Sequence, residues 1–115
     1  MIKRSAKREI EVRKNMRGAG GEVKIEHYFK KEEMTAPCRL CANLTLSPGS
    51  GIGIHEHRGE DEVYIIQRGL GLLNDDGVET EVSAGDAVLT GNGSRHAITN
   101  IGNEDLVITA VIMQY

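Results

Sequence analysis

Residues 49–69 read GSGIGIHEHRGEDEVYIIQRG and residues 85–100 read GDAVLTGNGSRHAITN. In the first stretch His55 and His57 stand two apart in a run with strand periodicity, so both imidazoles project from one face toward one location. That geometry suits a single metal ion. A polar turn, Arg58 to Asp61, follows, and Glu62 opens the next run, Val63-Tyr64-Ile65-Ile66. If this turn makes a hairpin, Glu62 returns beside the two histidines. In the second stretch the turn Gly91-Asn92-Gly93 precedes a third imidazole, His96, at the start of another strand. Singly these features are weak, because His-x-His on a strand is more often incidental surface chemistry and an acidic turn such as Gly59-Glu60-Asp61-Glu62 is ordinarily solvated. Their arrangement relative to the glycines gives them weight.

Outward from these stretches the chain reads as short strands between turn signals. The periodicity predicts strands at Val23 to Phe29, Cys38 to Ser47, Ile52 to His57, Glu62 to Gln67, Gly69 to Asn74, Val78 to Val82, Asp86 to Thr90, Ser94 to Asn100 and Leu106 to Met113. Between them lie Ser47-Pro48-Gly49, Asp75-Asp76-Gly77, Ala84-Gly85-Asp86 and Ile101-Gly102-Asn103, the residue types of tight turns. No helical pattern separates the strands, which favours an all-β barrel or sandwich over βαβ units. Along Cys38 to Ser47 the set Leu40, Ala42, Leu44, Leu46 is apolar and its alternate is mostly polar, so one face is buried. Along Leu106 to Met113 both faces are largely apolar, which implies cover on both sides, from a second sheet or from another subunit. A homodimer is the inference.

Composition sets the limits. At 115 residues the chain is one domain, with 14 glycines against a usual share of about 7%. It has no Trp, one Phe and three Tyr, so the core is aliphatic and no stacking platform for bases exists. A net charge of -3 argues against nucleic acid as partner. No apolar run is long enough to span a membrane and the N-terminus lacks the apolar segment of a leader, so a cytoplasmic protein is expected. Residues 1–22 carry a local charge of +4 and leave -7 for the rest. They form a basic N-terminal arm, part of the fold or of a dimer interface, ahead of a barrel over 23–115. A solvated arm or a strand added to a partner is one reading of that charge, and an electrostatic lure for an anionic substrate is the other.

Written as spacings, the two stretches are Gly49-(x5)-His55-x-His57-(x4)-Glu62-(x6)-Gly69 and Gly85-(x5)-Gly91-x-Gly93-(x2)-His96-(x3)-Asn100. They closely resemble the two signature motifs of the cupin superfamily. All five fixed positions of the first are present, and the second departs only at Gly91, where the family has proline. The resemblance implies a double-stranded β-helix, a small jelly-roll barrel, with a metal held by His55, His57, Glu62 and His96. Three neutral imidazoles and a carboxylate suit one divalent transition metal, Mn, Fe, Ni, Zn or Cu, rather than Mg or Ca, and they leave coordination positions open. Gly91 removes a fixed φ ahead of His96, which predicts a looser loop there.

The resemblance implies a metal-dependent protein acting on a small polar metabolite such as a sugar acid, keto acid or similar carboxylate. A redox-neutral isomerase, decarboxylase or lyase is favoured, with a dioxygenase or a non-catalytic binding module as alternatives. Tyr64 shares a face with Glu62, where its hydroxyl could serve a substrate or simply meet backbone. Arg39 and Arg95 could pair with a substrate carboxylate, surface placement being the ordinary alternative. His27, far from both motifs, reads as structural or surface. Cys38 and Cys41, three apart on a strand, are expected to face opposite sides.

Overall fold

The computed structural model describes residues 1–115. Ten strands form: β1 (Glu9–Lys14), β2 (Glu22–His27), β3 (Cys38–Leu46), β4 (Gly51–Glu56), β5 (Glu60–Arg68), β6 (Leu70–Asp75), β7 (Val78–Ser83), β8 (Ala87–Thr90), β9 (Arg95–Asn100) and β10 (Leu106–Gln114). Single 3-10 turns at Ser5–Lys7, Met16–Gly18 and Lys31–Glu33 are the only helical pieces. The strands make two antiparallel sheets, one ordered β1-β2-β3-β10-β5-β8 and the other β4-β9-β6-β7. The nine strands expected from alternation are β2 to β10, with ends shifted by a few residues. The tenth, β1, lies inside the basic arm. Its run Glu-Ile-Glu-Val-Arg-Lys alternates, but Ile10 and Val12 point outward and stay more than half exposed, so no buried face marks it. It pairs with β2 of its own chain, from Glu9 opposite His27 to Lys14 opposite Glu22.

The sheets face each other across an aliphatic core. From the larger come Val23, Ile25, Ala42, Leu44, Leu46, Tyr64, Ile66, Leu106, Ile108 and Ala110, and from the smaller Ile52, Leu73, Val82 and Ile98. β10 runs between β3 and β5 in the middle of the larger sheet, with its inner face against the core. Leu106, Ile108, Ala110 and Ile112 are buried inward, while Val107 and Val111 are half-covered outside by neighbouring strands and Met113 remains exposed.

Asn100 locks the far end of β9. Its amide nitrogen donates to the carbonyls of Leu46 and Glu104, each at 2.8 Å, and its side-chain oxygen accepts from the Gly102 N–H at 2.9 Å. The residue is 2% exposed. Asn100→Ala therefore strands buried backbone groups and is expected to lower unfolding stability by ~2–4 kcal/mol. Urea denaturation checks this, and a change below the error of the extrapolation would contradict it.

Candidate metal centre

His55 lies on β4, His57 just beyond it, Glu62 on β5 and His96 on β9, so the site spans both sheets. Strict alternation from buried Ile52 would turn Ile54 inward and His55 out. The β4–β9 register slips between Ile52 and His55, Ile52 facing Ile98 and His55 facing His96. This bulge re-aims the strand, leaving Ile54 43% exposed and His55 directed at His96. β5 needs no such device: Glu62, Tyr64 and Ile66 alternate inward and are buried.

The three imidazoles meet edge to face, with ring centroids 4.6 to 4.9 Å apart. His96 Nε2 stands 2.9 Å from His57 Nε2 and 3.0 Å from His55 Nε2. Glu62 Oε1 is 3.0 Å from His57 Nε2 and 2.9 Å from His96 Nε2, yet it makes no well-aligned hydrogen bond. The opposite ring nitrogens fix the tautomers of His55 and His57. His55 Nδ1 lies 2.6 Å from the Gly53 carbonyl, which can only accept, so this nitrogen carries a proton. His57 Nδ1 lies 2.8 Å from Glu60, and the Arg39 guanidinium, with His57 beyond it, holds that carboxyl down at about 2, so it too accepts. His96 Nδ1 pairs with the Thr90 hydroxyl at 2.9 Å. Lone pairs on the Nε2 atoms of His55 and His57 and a carboxylate oxygen thus converge with His96 Nε2, four ligand atoms within 4.8 Å of one another.

Such a set fits a cation. Desolvation, with the neighbouring His96 and His57, pushes His55 down to about 4, so this ring stays neutral and available as a ligand at ordinary pH. Burial opposes charge on His57 as well, but the Glu62 and Glu60 carboxylates outweigh it and raise that ring, so a proton there competes with a metal ion. Burial likewise works against the Glu62 carboxylate, yet His57 and His96 hold its pKa below the ordinary value. Three nitrogens and one carboxylate oxygen match first-row transition ions and not the all-oxygen shells of Mg or Ca.

Behind the ligand atoms, Arg39 grips Glu60 with two charge-assisted bonds, at 2.7 and 2.8 Å, and Glu60 holds His57. Glu60 belongs to the acidic turn that ordinarily would be solvated, and burial of all but 8% of it corrects that expectation. It orients His57 and makes the ring a better donor to a metal. Glu60→Gln is expected to weaken metal affinity by roughly 10- to 100-fold. A chelator-competition titration measures it, and an unchanged affinity would show that Glu60 only fills space.

A cavity of about 290 Å³ opens onto this cluster. His55, His57, Glu62 and Tyr64 line its buried part, Ile25, Leu40, Leu44, Ile52 and Ile112 its apolar walls, and charged side chains including Arg13, Arg17, Lys31 and Arg39 its exposed rim. Tyr64 stacks on His96, ring centroids 5.0 Å apart, and burial with the Glu62 charge keeps its hydroxyl protonated well above the usual phenol range. His27, read as structural or surface, is buried, lines the same cavity from β2 and meets Glu11 at 2.8 Å. The inward alternation Val23, Ile25, His27 was the available signal. Arg95 is exposed and does not reach the cavity.

Two local expectations change. Gly91 stands where the Asp61 carboxylate would lie 1.9 Å from an added Cβ, so a side chain there would require Asp61 to swing aside. Its loop is pinned rather than loose: Gly93 N–H donates to the His57 carbonyl, His57 N–H to the Ser94 carbonyl, and Ser94 N–H to Gly91, at 2.8 to 3.0 Å. In β3 a register shift leaves Arg39 unpaired in the ladder, so Cys38 stands opposite Met113 and Cys41 opposite Val111, two apart on β10. The simple alternation that was to separate the two free thiols is interrupted there.

Two packed antiparallel sheets with three imidazoles and a carboxylate converging between them define a jelly-roll protein with a candidate metal centre. Residues 42–112 match the Cupin_2 family, the cupin domain, and the chain belongs to that family. It is 43% identical over 113 residues to an oxalate-binding protein of Thermotoga maritima, which covers 98% of this chain and 93% of the relative. The crystal structure of a predicted oxalate decarboxylase from the same organism superposes over 100% of both chains with a TM-score of 0.95 and 43% identity. An RmlC-like cupin from Shewanella frigidimarina superposes over 99% of this chain and 90% of its own with a TM-score of 0.77 at 17% identity, a likeness of fold.

Proposed function

We propose that the protein is a metal-dependent cupin that binds a small carboxylate, oxalate being the first to test, and converts it without net redox change. The observation that carries this reading is the convergence of three imidazole nitrogens and a buried carboxylate oxygen at the end of a cavity whose rim is basic. His55, His57, Glu62 and His96 are the proposed ligands of one divalent transition metal, Mn, Fe, Ni or Zn, with Cu also compatible. When bound, such an ion supplies Lewis acidity to a chelated carboxylate. The rest falls to the chain. Apolar walls from Leu44, Ile52 and Ile112 exclude water around the substrate and strengthen its electrostatic contacts. The Tyr64 hydroxyl, kept protonated by burial, donates a hydrogen bond to a substrate oxygen. Decarboxylation of oxalate consumes one proton: the carbon–carbon bond breaks, carbon dioxide leaves, and the electron pair left on the other carbon takes up that proton to form the C–H bond of formate.

Calorimetry of oxalate against manganese-loaded and chelator-treated protein, with formate and oxygen followed in parallel, tests this. Metal-dependent binding with formate release supports the decarboxylase reading. Binding without turnover supports a non-catalytic binding module, in keeping with the name of the Thermotoga maritima relative, an oxalate-binding protein. Oxygen uptake would move the assignment to a dioxygenase, and no binding would remove oxalate.

A second copy of the chain is the proposed partner of the outer face of the larger sheet, where Ile65, Leu89 and Met113 are 40, 67 and 42% exposed beside half-buried Val63 and Val111. Ile65→Lys is expected to convert a dimer to a monomer in light-scattering chromatography, and a wild type that is itself monomeric would end this proposal. No helix is long and apolar enough to cross a membrane. Two unpaired thiols are consistent with a reducing, cytoplasmic setting.

A further inference from the structure

We infer that Arg17, outside the residues matched by the family, is the anion-recognition residue of the cavity. Its guanidinium takes substrate carboxylate oxygens that face the rim and so favours a dicarboxylate over a monocarboxylate. This rests on the carboxylate reading above and deepens it. Most rim cations are already committed: Arg13 pairs with Glu11 at 3.3 Å, Lys30 with Glu9 at 3.3 Å and Arg39 with Glu60 at 2.7 Å. Arg17 and Lys31 line the cavity with no carboxylate within ion-pair distance. Of the two, Arg17 carries the planar fork that matches a carboxylate, while Lys31 is a point charge next to Glu32 and Glu33.

The backbone singles out Arg17 as well. It holds a left-handed conformation, φ 55° and ψ 29°, that a side-chain-bearing residue ordinarily avoids, and Asn15 does the same at φ 51°. The surroundings enforce it. The 3-10 turn is closed by Gly18 N–H to Asn15 and Ala19 N–H to Met16, at 3.0 and 3.2 Å, and tied by Asn15 N–H to Gly21 at 3.0 Å. Met16 packs on the core. The turn also docks on β4, where the Arg17 carbonyl oxygen would lie 2.0 Å from a Cβ added at Gly53, so only glycine admits it. The Gly53 carbonyl in turn holds His55 Nδ1 at 2.6 Å. A strained residue clamped against the peptide that orients a proposed metal ligand presents its guanidinium to the cavity from a fixed base, which lowers the ordering cost of binding. The arm thus supplies one wall of the site and its free positive charge.

The test compares wild type with Arg17→Gln, Arg17→Gly and Lys31→Gln, all manganese-loaded, for calorimetric affinity toward oxalate and glycolate. Arg17→Gln is expected to weaken oxalate by about 10- to 100-fold, the range of one charge-assisted contact, and glycolate by less. Metal content should not change, and Lys31→Gln should stay within about threefold of wild type if a single contact carries the effect. Arg17→Gly relieves the left-handed strain, so it should melt at or above the wild-type temperature while losing the same oxalate affinity. Undiminished oxalate affinity in both Arg17 variants would overturn the inference and leave the carboxylate reading standing. An equal loss in Lys31→Gln would overturn it in favour of diffuse charge, and a wild type that binds neither acid would overturn both.

Discussion

His96→Ala is expected to abolish stoichiometric metal uptake, lowering affinity by more than ~1,000-fold, beyond the roughly 10- to 100-fold scale of groups that only support a ligand. His96 is the hub of the cluster. Its Nε2 lies within 3.0 Å of both other imidazole Nε2 atoms and of Glu62 Oε1, while Thr90 anchors the opposite side of its ring. Removing it takes away a ligand, opens a hole at a position 1% exposed, and unstacks Tyr64. The hole alone should cost ~2–4 kcal/mol of stability, the range for deleting a large buried side chain. Metal content of protein purified without chelator, with circular dichroism to verify folding, decides the matter. A folded variant holding as much metal as wild type would remove His96 from the ligand set.

Metal loading should raise the melting temperature by about 10–20 °C, because free ion at about 1,000 times its dissociation constant adds about 4 kcal/mol and a domain of this size gains a few degrees per kcal/mol. The physical source is local. Three ring nitrogens and Glu62 Oε1 crowd together in a site from which water is largely excluded, and a cation at their centre converts mutual repulsion into attraction. Calorimetric scans with chelator and with Mn, Fe(II), Ni or Zn measure the effect. His96→Ala should show almost none of the shift, and equal melting temperatures for chelated and loaded wild type would sink the metal reading itself.

Much of the site was legible in the chain because its information is local. Two residues apart on a strand share a face whatever the strand packs against, which is why His55, His57 and Glu62 could be grouped across one turn, with His96 added through the resemblance of the glycine spacing. Alternation located β2 to β10 for the same reason, since each buries one side against a core. It passed over β1, whose apolar residues face outward and whose pairing comes only from β2. It gave no sign of what holds Glu60 and His27, because their partners, Arg39 and Glu11, lie 21 and 16 residues away.

The sequence by itself determined the all-β class and the aliphatic core, through periodicity and turn chemistry that act over a few residues, and it named the full candidate metal set through the resemblance of its two motifs to those of the cupins. The tertiary structure decided what required distant segments to meet. A bulge in β4 turns His55 inward, the Asp61 carboxylate packs against Gly91, and Glu60 bridges Arg39 to His57. The basic N-terminal arm, whose charge alone left its role open, folds back so that Arg13 and Arg17 line the cavity beside the histidines. Register and close packing set these contacts, and neither can be read from spacing along the chain.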